Sequence, residues 1–241
     1  MLFRSLITTK GFRDVLELGR RDRQQMYGLT GTHQPLIPRD MRWEIAERVD
    51  HQGAIIEPLD EPDVRALAQA LRGESIESIV IAYLHSYANP AHEERTAVIF
   101  HEVNPAWEII TSSSVVREYY EFERTSTAVV QGYLQPLVAR YARGLEQRLA
   151  ERKYVAPAFV MQSNGGLAPL KQLHASAARI VRSGPAAGVM AAAALAGRAG
   201  FGHVITGDMG GTSYDVAVVV GGAPRIAETT EIGRASCRER V

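Results

Sequence analysis

His203-Val-Ile-Thr-Gly-Asp208-Met-Gly210-Gly211-Thr212-Ser213-Tyr-Asp215-Val-Ala-Val-Val219 runs from an apolar stretch through an acidic residue, a glycine pair and two hydroxyls into a second apolar stretch. Apolar, β-branched runs on either side of a glycine turn predict two strands, His203–Thr206 and Tyr214–Val220. Paired glycines let the turn take positive φ and bring backbone N–H groups close to an anion. Thr212 and Ser213 add hydroxyl donors for phosphate oxygens. Asp208 repels a polyphosphate by charge, so a phosphate-binding role needs a cation between them. Magnesium, held through water by one carboxylate and by the phosphates, supplies that cation. No Gly-Lys-Ser/Thr follows, which excludes the lysine-bearing phosphate loop. Taken alone, the stretch is better explained as an ordinary hairpin, since Gly-Gly is a common turn and an aspartate before it often caps the turn.

Upstream, Ser183-Gly184-Pro185-Ala-Ala-Gly188-Val-Met-Ala-Ala-Ala-Ala194 predicts a helix of small residues over about 185–197, which allows close helix approach. Pro157–Met161 reads as a strand closed by the turn Ser163-Asn164-Gly165-Gly166. A long helix is expected from about 121 to 152, with Val130, Leu134, Leu137, Val138, Tyr141, Leu145 and Leu149 along one face. Pro136 inside it removes a backbone donor and is expected to kink or divide it.

Nearer the N-terminus, Val64, Leu67, Ala68 and Leu71 recur at helical spacing after an acidic first turn. Ile76–Leu84 reads as an apolar strand, Asn89-Pro90 opens a helix over about 91–103, and Trp107–Thr111 is another strand. Residues 10–60 look loop-rich, broken by Pro35, Pro38 and Pro58. The β, α, β alternation predicts a layered α/β domain whose strands are buried on both faces.

Of the 241 residues 46% are hydrophobic and 22% charged, an ordinary globular composition. Lys plus Arg and Asp plus Glu are each 27, which gives no electrostatic footprint for nucleic acid or an anionic membrane. One cysteine, Cys237, excludes a disulfide framework and a cysteine-rich zinc site. No apolar run reaches the roughly eighteen residues of a spanning helix, and a cytoplasmic location is the expectation. Leu2-Phe3-Arg4-Ser5 and Gly233–Val241 resemble read-through translation of DNA-sequencing adapters, so residues 1–5 and 233–241 are set aside.

His92-Glu93 and His101-Glu102 each lack a second histidine four residues on, and no Gly-x-Ser-x-Gly occurs. Gly197-Arg-Ala-Gly200-Phe-Gly202 has the wrong spacing for a dinucleotide fingerprint. His85 and His92 read as surface-loop histidines. Tyr119, Tyr120, Glu121, Glu123 and Arg124 gather phenols and charges at the front of the long helix, facing either a ligand or solvent.

The helix of small residues placed just before strand–Asp-x-Gly-Gly-Thr–strand resembles the connecting helix and second phosphate-binding hairpin of the actin-like ATPase superfamily. A closer resemblance covers nearly the whole chain. Thr8–Arg20, His85–Glu93, Tyr120–Val130, Met161–Gly166, Ser183–Gly188 and Asp208–Ser213 look like successive motifs of the hydantoinase A/5-oxoprolinase family. The resemblance implies an α/β, partial actin-like (ribonuclease H-like) ATPase fold with two lobes incomplete at both ends. The division expected is 6–120 for the remainder of an N-terminal lobe and 121–232 for the start of the ATPase lobe.

It also implies an ATP-dependent hydrolase that opens cyclic amides such as N-methylhydantoins or 5-oxoproline, with ATP and Mg2+ as cofactors. Asp208, Gly210, Gly211, Thr212 and Ser213 are then the cofactor-binding residues, Asp208 holding magnesium through water. The implied partner is a hydantoinase B-type subunit or fused domain. Alternatives within the resemblance are an acetone- or acetophenone-type carboxylase subunit and a non-enzymatic nucleotide-binding lobe. The family's first Asp-x-Gly-Gly-Thr hairpin has no counterpart in this sequence, so half of a nucleotide site and an inactive isolated chain are expected. Tyr214 stands where the family's hairpin has threonine.

Overall fold

The computed structural model describes residues 3–19, 35–211, 214–225, 230–232 and 235–237. The chain divides into two compact units, Met1–Arg140 and Tyr141–Val241. In the first unit, β1 (Phe3–Thr9) is followed by the short helix α1 (Val15–Leu18), β2 (Arg42–Ile45), and a ribbon of β3 (Arg48–Val49) and β4 (Ile55–Glu57). Then come α2 (Glu61–Leu71), β5 (Ile76–Ala82), α3 (Ala91–Val103), β6 (Glu108–Thr111), the single turn α4 (Ser112–Val115) and α5 (Glu121–Glu151). Four strands form one parallel sheet in the order β2-β1-β5-β6.

β5 shows why the sheet is covered on both faces. Six of its seven residues are buried, so the strand reads as a continuous apolar run. Ile79 and Ile81 pack with Val64, Ala68 and Leu71 of α2 and with Ile99 and Phe100 of α3. The alternate residues Val80 and Ala82 pack with Ala128 and Val129 of α5. The layers are therefore helix, sheet, helix. Local chemistry sets the helix starts: Asp60 accepts the Asp63 N–H at 3.0 Å ahead of α2, and Asn89 Oδ1 accepts the Ala91 N–H at 3.1 Å ahead of α3.

The observed α2, β5, α3 and β6 lie within two residues of their expected bounds, whereas β1 and β2 were not anticipated. β1 occupies an interior position in the sheet and includes Phe3-Arg4-Ser5, set aside above, with Ser5 fully buried. β2 hides because it begins with Arg42, a charge inside a four-residue strand. That guanidinium is buried and tied to Ile37 O (3.0 Å), Arg13 O (3.3 Å) and Glu17 Oε1 (3.3 Å). Such a side chain reads as solvated until its partners are known. Pro136 does not divide α5, which is one unbroken helix from Glu121 to Glu151. The boundary expected at 120/121 falls at the start of that helix, and the compact units divide within it.

The second unit holds the hairpin β7 (Phe159–Met161)–β8 (Leu167–Pro169), a 3-10 stretch Leu170–Ile180 interrupted at Ser176, and α6 (Ser183–Arg198). An antiparallel sheet β11-β10-β9 follows, from β9 (Val204–Met209), β10 (Tyr214–Val220) and β11 (Ala223–Pro224). Thr230–Ile232 pairs antiparallel with Ala235–Cys237. No single described helix is long and apolar enough to cross a membrane.

Candidate functional site

The hairpin read from sequence is present. β9 and β10 pair antiparallel with Tyr214 opposite Met209, Asp215 opposite Asp208 and Val216 opposite Gly207. The strand expected to end at Thr206 runs on to Met209, which carries Asp208 onto the ladder beside the turn. Directly opposed residues share a face, so two carboxylates stand on one side of the sheet. That side faces α6: Asp208 Oδ2 is 3.8 Å from where a Cβ on Gly188 would lie. Opposed like charges destabilise a strand pair, and a cation between them reverses the sign.

Gly210 and Gly211 are exposed in the turn, while Thr212 and Ser213 lie outside the described residues. A Cβ at Gly211 meets nothing within 4 Å, so internal packing does not demand glycine there. A glycine there leaves the backbone open to close approach by a ligand. Tyr214 is directed to the other face, because a Cβ on Gly207 would lie 2.5 Å from its hydroxyl and Gly207 alternates with Asp208. The tyrosine therefore stays clear of the carboxylate side. An acidic pair beside an open glycine turn suits a metal-bound phosphate.

The turn Ser163–Gly166 is fixed to the start of α6. Ser163 N–H donates to Arg179 O at 2.7 Å, and Ser163 Oγ accepts from Arg182 N–H at 3.1 Å. Gly165 needs to be glycine, with φ of 81° and a Cβ position 3.1 Å from Met190.

Sequence reasoning missed a second polar centre, in the first unit at the carboxyl ends of β1, β5 and β6. Open parallel sheets bind ligands at that edge. Glu93, fully buried in the first turn of α3, accepts four hydrogen bonds. They come from Ser112 Oγ (2.6 Å), Ser113 N (3.0 Å), Ser113 Oγ (2.6 Å) and Tyr83 N (3.0 Å). Burial still outweighs those bonds and pushes its carboxyl above the usual range. Beside it, His92 Nδ1 lies 2.7 Å from Glu47 Oε2, and Thr9 Oγ1 donates to the other oxygen of Glu47.

Arg124 is fully buried at the front of α5. It donates to Tyr83 O (2.9 Å), Glu118 O (2.8 Å) and Ser112 Oγ (3.2 Å), and forms a close ion pair with Glu121. His92 is thus a core residue and not the surface histidine expected, and Arg124 is not part of a solvated first turn. The signal was present in the sequence: Thr8-Thr9 closes one strand and Ser112-Ser113 follows another, where a plain strand end has no need of paired hydroxyls.

The chain is a mixed α/β protein whose parallel sheet is consistent with a partial actin-like fold, and the strand–Asp-x-Gly-Gly–strand hairpin lies in its second unit. The chain belongs to the hydantoinase/oxoprolinase family: the family's N-terminal-region model matches residues 4–104 and its hydantoinase/oxoprolinase model residues 124–240. It is 35% identical to the acetophenone carboxylase gamma subunit of Aromatoleum aromaticum over 89% of this chain and 31% of that protein. It is 32% identical to caprolactamase subunit alpha of Pseudomonas jessenii over 95% of this chain and 33% of that one. A nucleotide-free acetone carboxylase structure superposes with a TM-score of 0.83 at 28% identity, covering 98% of this chain and 35% of that one. The structure of the ATP-dependent caprolactamase from the same Pseudomonas gives 0.78 at 31%, covering 89% and 32%. The chain spans about a third of the length of these two curated relatives and about a fifth of the 5-oxoprolinases of Arabidopsis thaliana and Saccharomyces cerevisiae.

Proposed function

We propose that this chain is the ATP–magnesium-holding part of an ATP-dependent enzyme that opens cyclic amides, of the hydantoin, oxoproline or lactam kind. The observation that carries it is the opposed Asp208–Asp215 pair at the mouth of an open glycine turn. Asp208 and Asp215 hold the cation, the Gly210 and Gly211 backbone comes close to the phosphates, and the hydroxyls of Thr212 and Ser213 donate to them. ATP bound there transfers its terminal phosphoryl group to the amide oxygen and leaves as ADP. Water then adds to the amide carbon, the ring C–N bond breaks with the nitrogen leaving as a protonated amine, and a second water releases phosphate from the resulting acyl phosphate. The relatives that are named as subunits support a partner of hydantoinase B type, separate or fused. The similarity to acetophenone and acetone carboxylases favours a second reading, in which ATP activates a ketone and bicarbonate instead.

The test uses the full-length protein recovered from source DNA and co-expressed with its neighbouring gene. Phosphate release from ATP that depends on a hydantoin, 5-oxoproline or caprolactam supports the hydrolase reading. Release that depends on acetone or acetophenone with bicarbonate overturns it in favour of the carboxylase.

Asp208→Asn separates a metal role from a structural one. Neutralising one of two opposed carboxylates raises the thermal midpoint of the free protein. The same change weakens binding of ATP in magnesium by about tenfold or more and, by removing a charge that repels metal-free polyphosphate, does not weaken binding in EDTA. Calorimetric titration with and without magnesium reads both; equal losses in the two buffers sink the metal role.

A further inference from the structure

Three consecutive backbone N–H groups beyond β5 are taken by side chains from three different elements. Tyr83 N–H donates to Glu93 of α3, Leu84 N–H to Thr9 of β1 at 2.9 Å, and His85 N–H to Glu121 of α5 at 3.1 Å. Each acceptor is itself held. Glu93 is bound by Ser112 and Ser113, Thr9 by Glu47, and Glu121 by the buried Arg124, which also clamps Tyr83 O. All of this converges on one residue in an unfavourable conformation. His85 has φ of 55°, one of two described non-glycine residues in the left-handed region. Such strain persists only where the surroundings over-determine it, and it gathers at functional sites.

The side chain so fixed is not packed away. His85 is 31% exposed at the carboxyl edge of the parallel sheet, while the groups that fix it are mostly buried. Its Nδ1 lies 3.3 Å from the Tyr87 hydroxyl, whose ring meets the imidazole edge-on at 5.8 Å between centroids. Among the described residues Nε2 has no hydrogen-bond partner, so the imidazole presents one free nitrogen. Arg124, the buried cation that shares Glu121 with the His85 N–H, is already ion-paired.

We propose that His85 is the ligand-contacting residue of a binding site in the first unit, and that the site takes a small uncharged carbonyl compound, an amide or ketone. With Tyr87 donating to Nδ1, the Nε2–H donates to the carbonyl oxygen. Tyr87 sets the tautomer and Arg124, through Glu121, sets the backbone; both are positioning residues. The ligand class rests on the carbonyl chemistry proposed above, but the site itself stands on the geometry of the first unit alone.

The experiment is carbethoxylation of the whole chain by diethyl pyrocarbonate, read residue by residue by mass spectrometry, with 2-pyrrolidinone as the probe. His85 reacts and buried His92 does not. Millimolar 2-pyrrolidinone protects His85, and inorganic phosphate at equal ionic strength does not. Absence of protection overturns the site, and protection by phosphate alone overturns the ligand class.

His85→Gly supplies the second arm, because glycine relieves a left-handed strain that alanine retains. The expected result is an unchanged or raised thermal midpoint together with about tenfold weaker probe binding by saturation-transfer NMR. His85→Asn, tolerated in that conformation and still a donor, keeps part of the binding. A drop in thermal stability with undiminished probe binding in His85→Gly makes the histidine structural and overturns the proposal. Asp208→Asn leaves probe binding intact, so failure of the nucleotide reading and failure of this site are told apart.

Discussion

Replacing Glu93 with alanine costs the first unit about 4 kcal/mol, a large part of the roughly 5–15 kcal/mol that holds a domain together. The carboxylate has no exposed surface and takes four donors, two of them backbone N–H groups that cannot turn to other acceptors. Alanine orphans Tyr83 N–H and Ser113 N–H in a buried space, and each orphan costs about 1–3 kcal/mol. Glutamine keeps one acceptor oxygen but aims an amide donor at the Ser113 side, so Glu93→Gln costs about 2 kcal/mol. Urea unfolding followed by tryptophan fluorescence measures both, since Trp43 and Trp107 lie in the first unit.

The pH dependence has a definite sign. Burial lifts the folded carboxyl of Glu93 above its ordinary 4.5. Between the two values the folded state holds a proton that the unfolded state has released, so stability falls as pH rises. The contribution is full below 4.5 and is lost as pH passes upward through the folded value. Glutamine does not titrate, so the deficit of Glu93→Gln narrows as the pH is raised. A deficit that widens toward neutral pH shows the four hydrogen bonds outweighing burial, with the carboxylate more acidic than in the unfolded chain.

Glu93 also shows where sequence reading stops. The helix that carries it was legible from Asn89-Pro90 and the residues after it, because capping and periodicity are local. That a glutamate beside a histidine belongs to the core was not legible, since Ser112 and Ser113 meet it only after β5 and β6 pair in parallel. Arg42 and Arg124 follow the same logic: a buried guanidinium is spelled like a solvated one until its distant acceptors are in place. The hairpin at Asp208 was legible because strand, turn and strand are contiguous. Asp215 was overlooked as a partner of Asp208 because the pairing register decides which residues oppose, and the four-residue turn left that register open.

Pro136 was expected to damage α5, and the structure shows what absorbs the loss. A proline lacks the N–H that donates to the carbonyl four residues earlier, here Gly132. That carbonyl accepts instead from Ser78 Oγ on β5, at 2.9 Å and buried. The hydroxyl reaches it because residue 132 is glycine: a Cβ there would lie 2.5 Å from Val80 Cγ2. The helix backbone therefore lies directly on the strand, and Pro136, Gly132, Ser78 and Val80 form one unit. Ser78→Ala is expected to cost about 1–2 kcal/mol by orphaning the carbonyl. In a Pro136→Ala background the same change costs little, because residue 136 regains an N–H aimed at Gly132 O. The expected coupling is about 1 kcal/mol. Gly132→Ala costs about 2 kcal/mol, since valine is stiff at χ1 and cannot swing aside, and Val80→Ala restores most of it. Urea midpoints for the singles and doubles test the scheme: additive losses for Ser78 and Pro136 break the link between them, whereas coupling confirms that a strand hydroxyl stands in for the amide hydrogen that proline lacks.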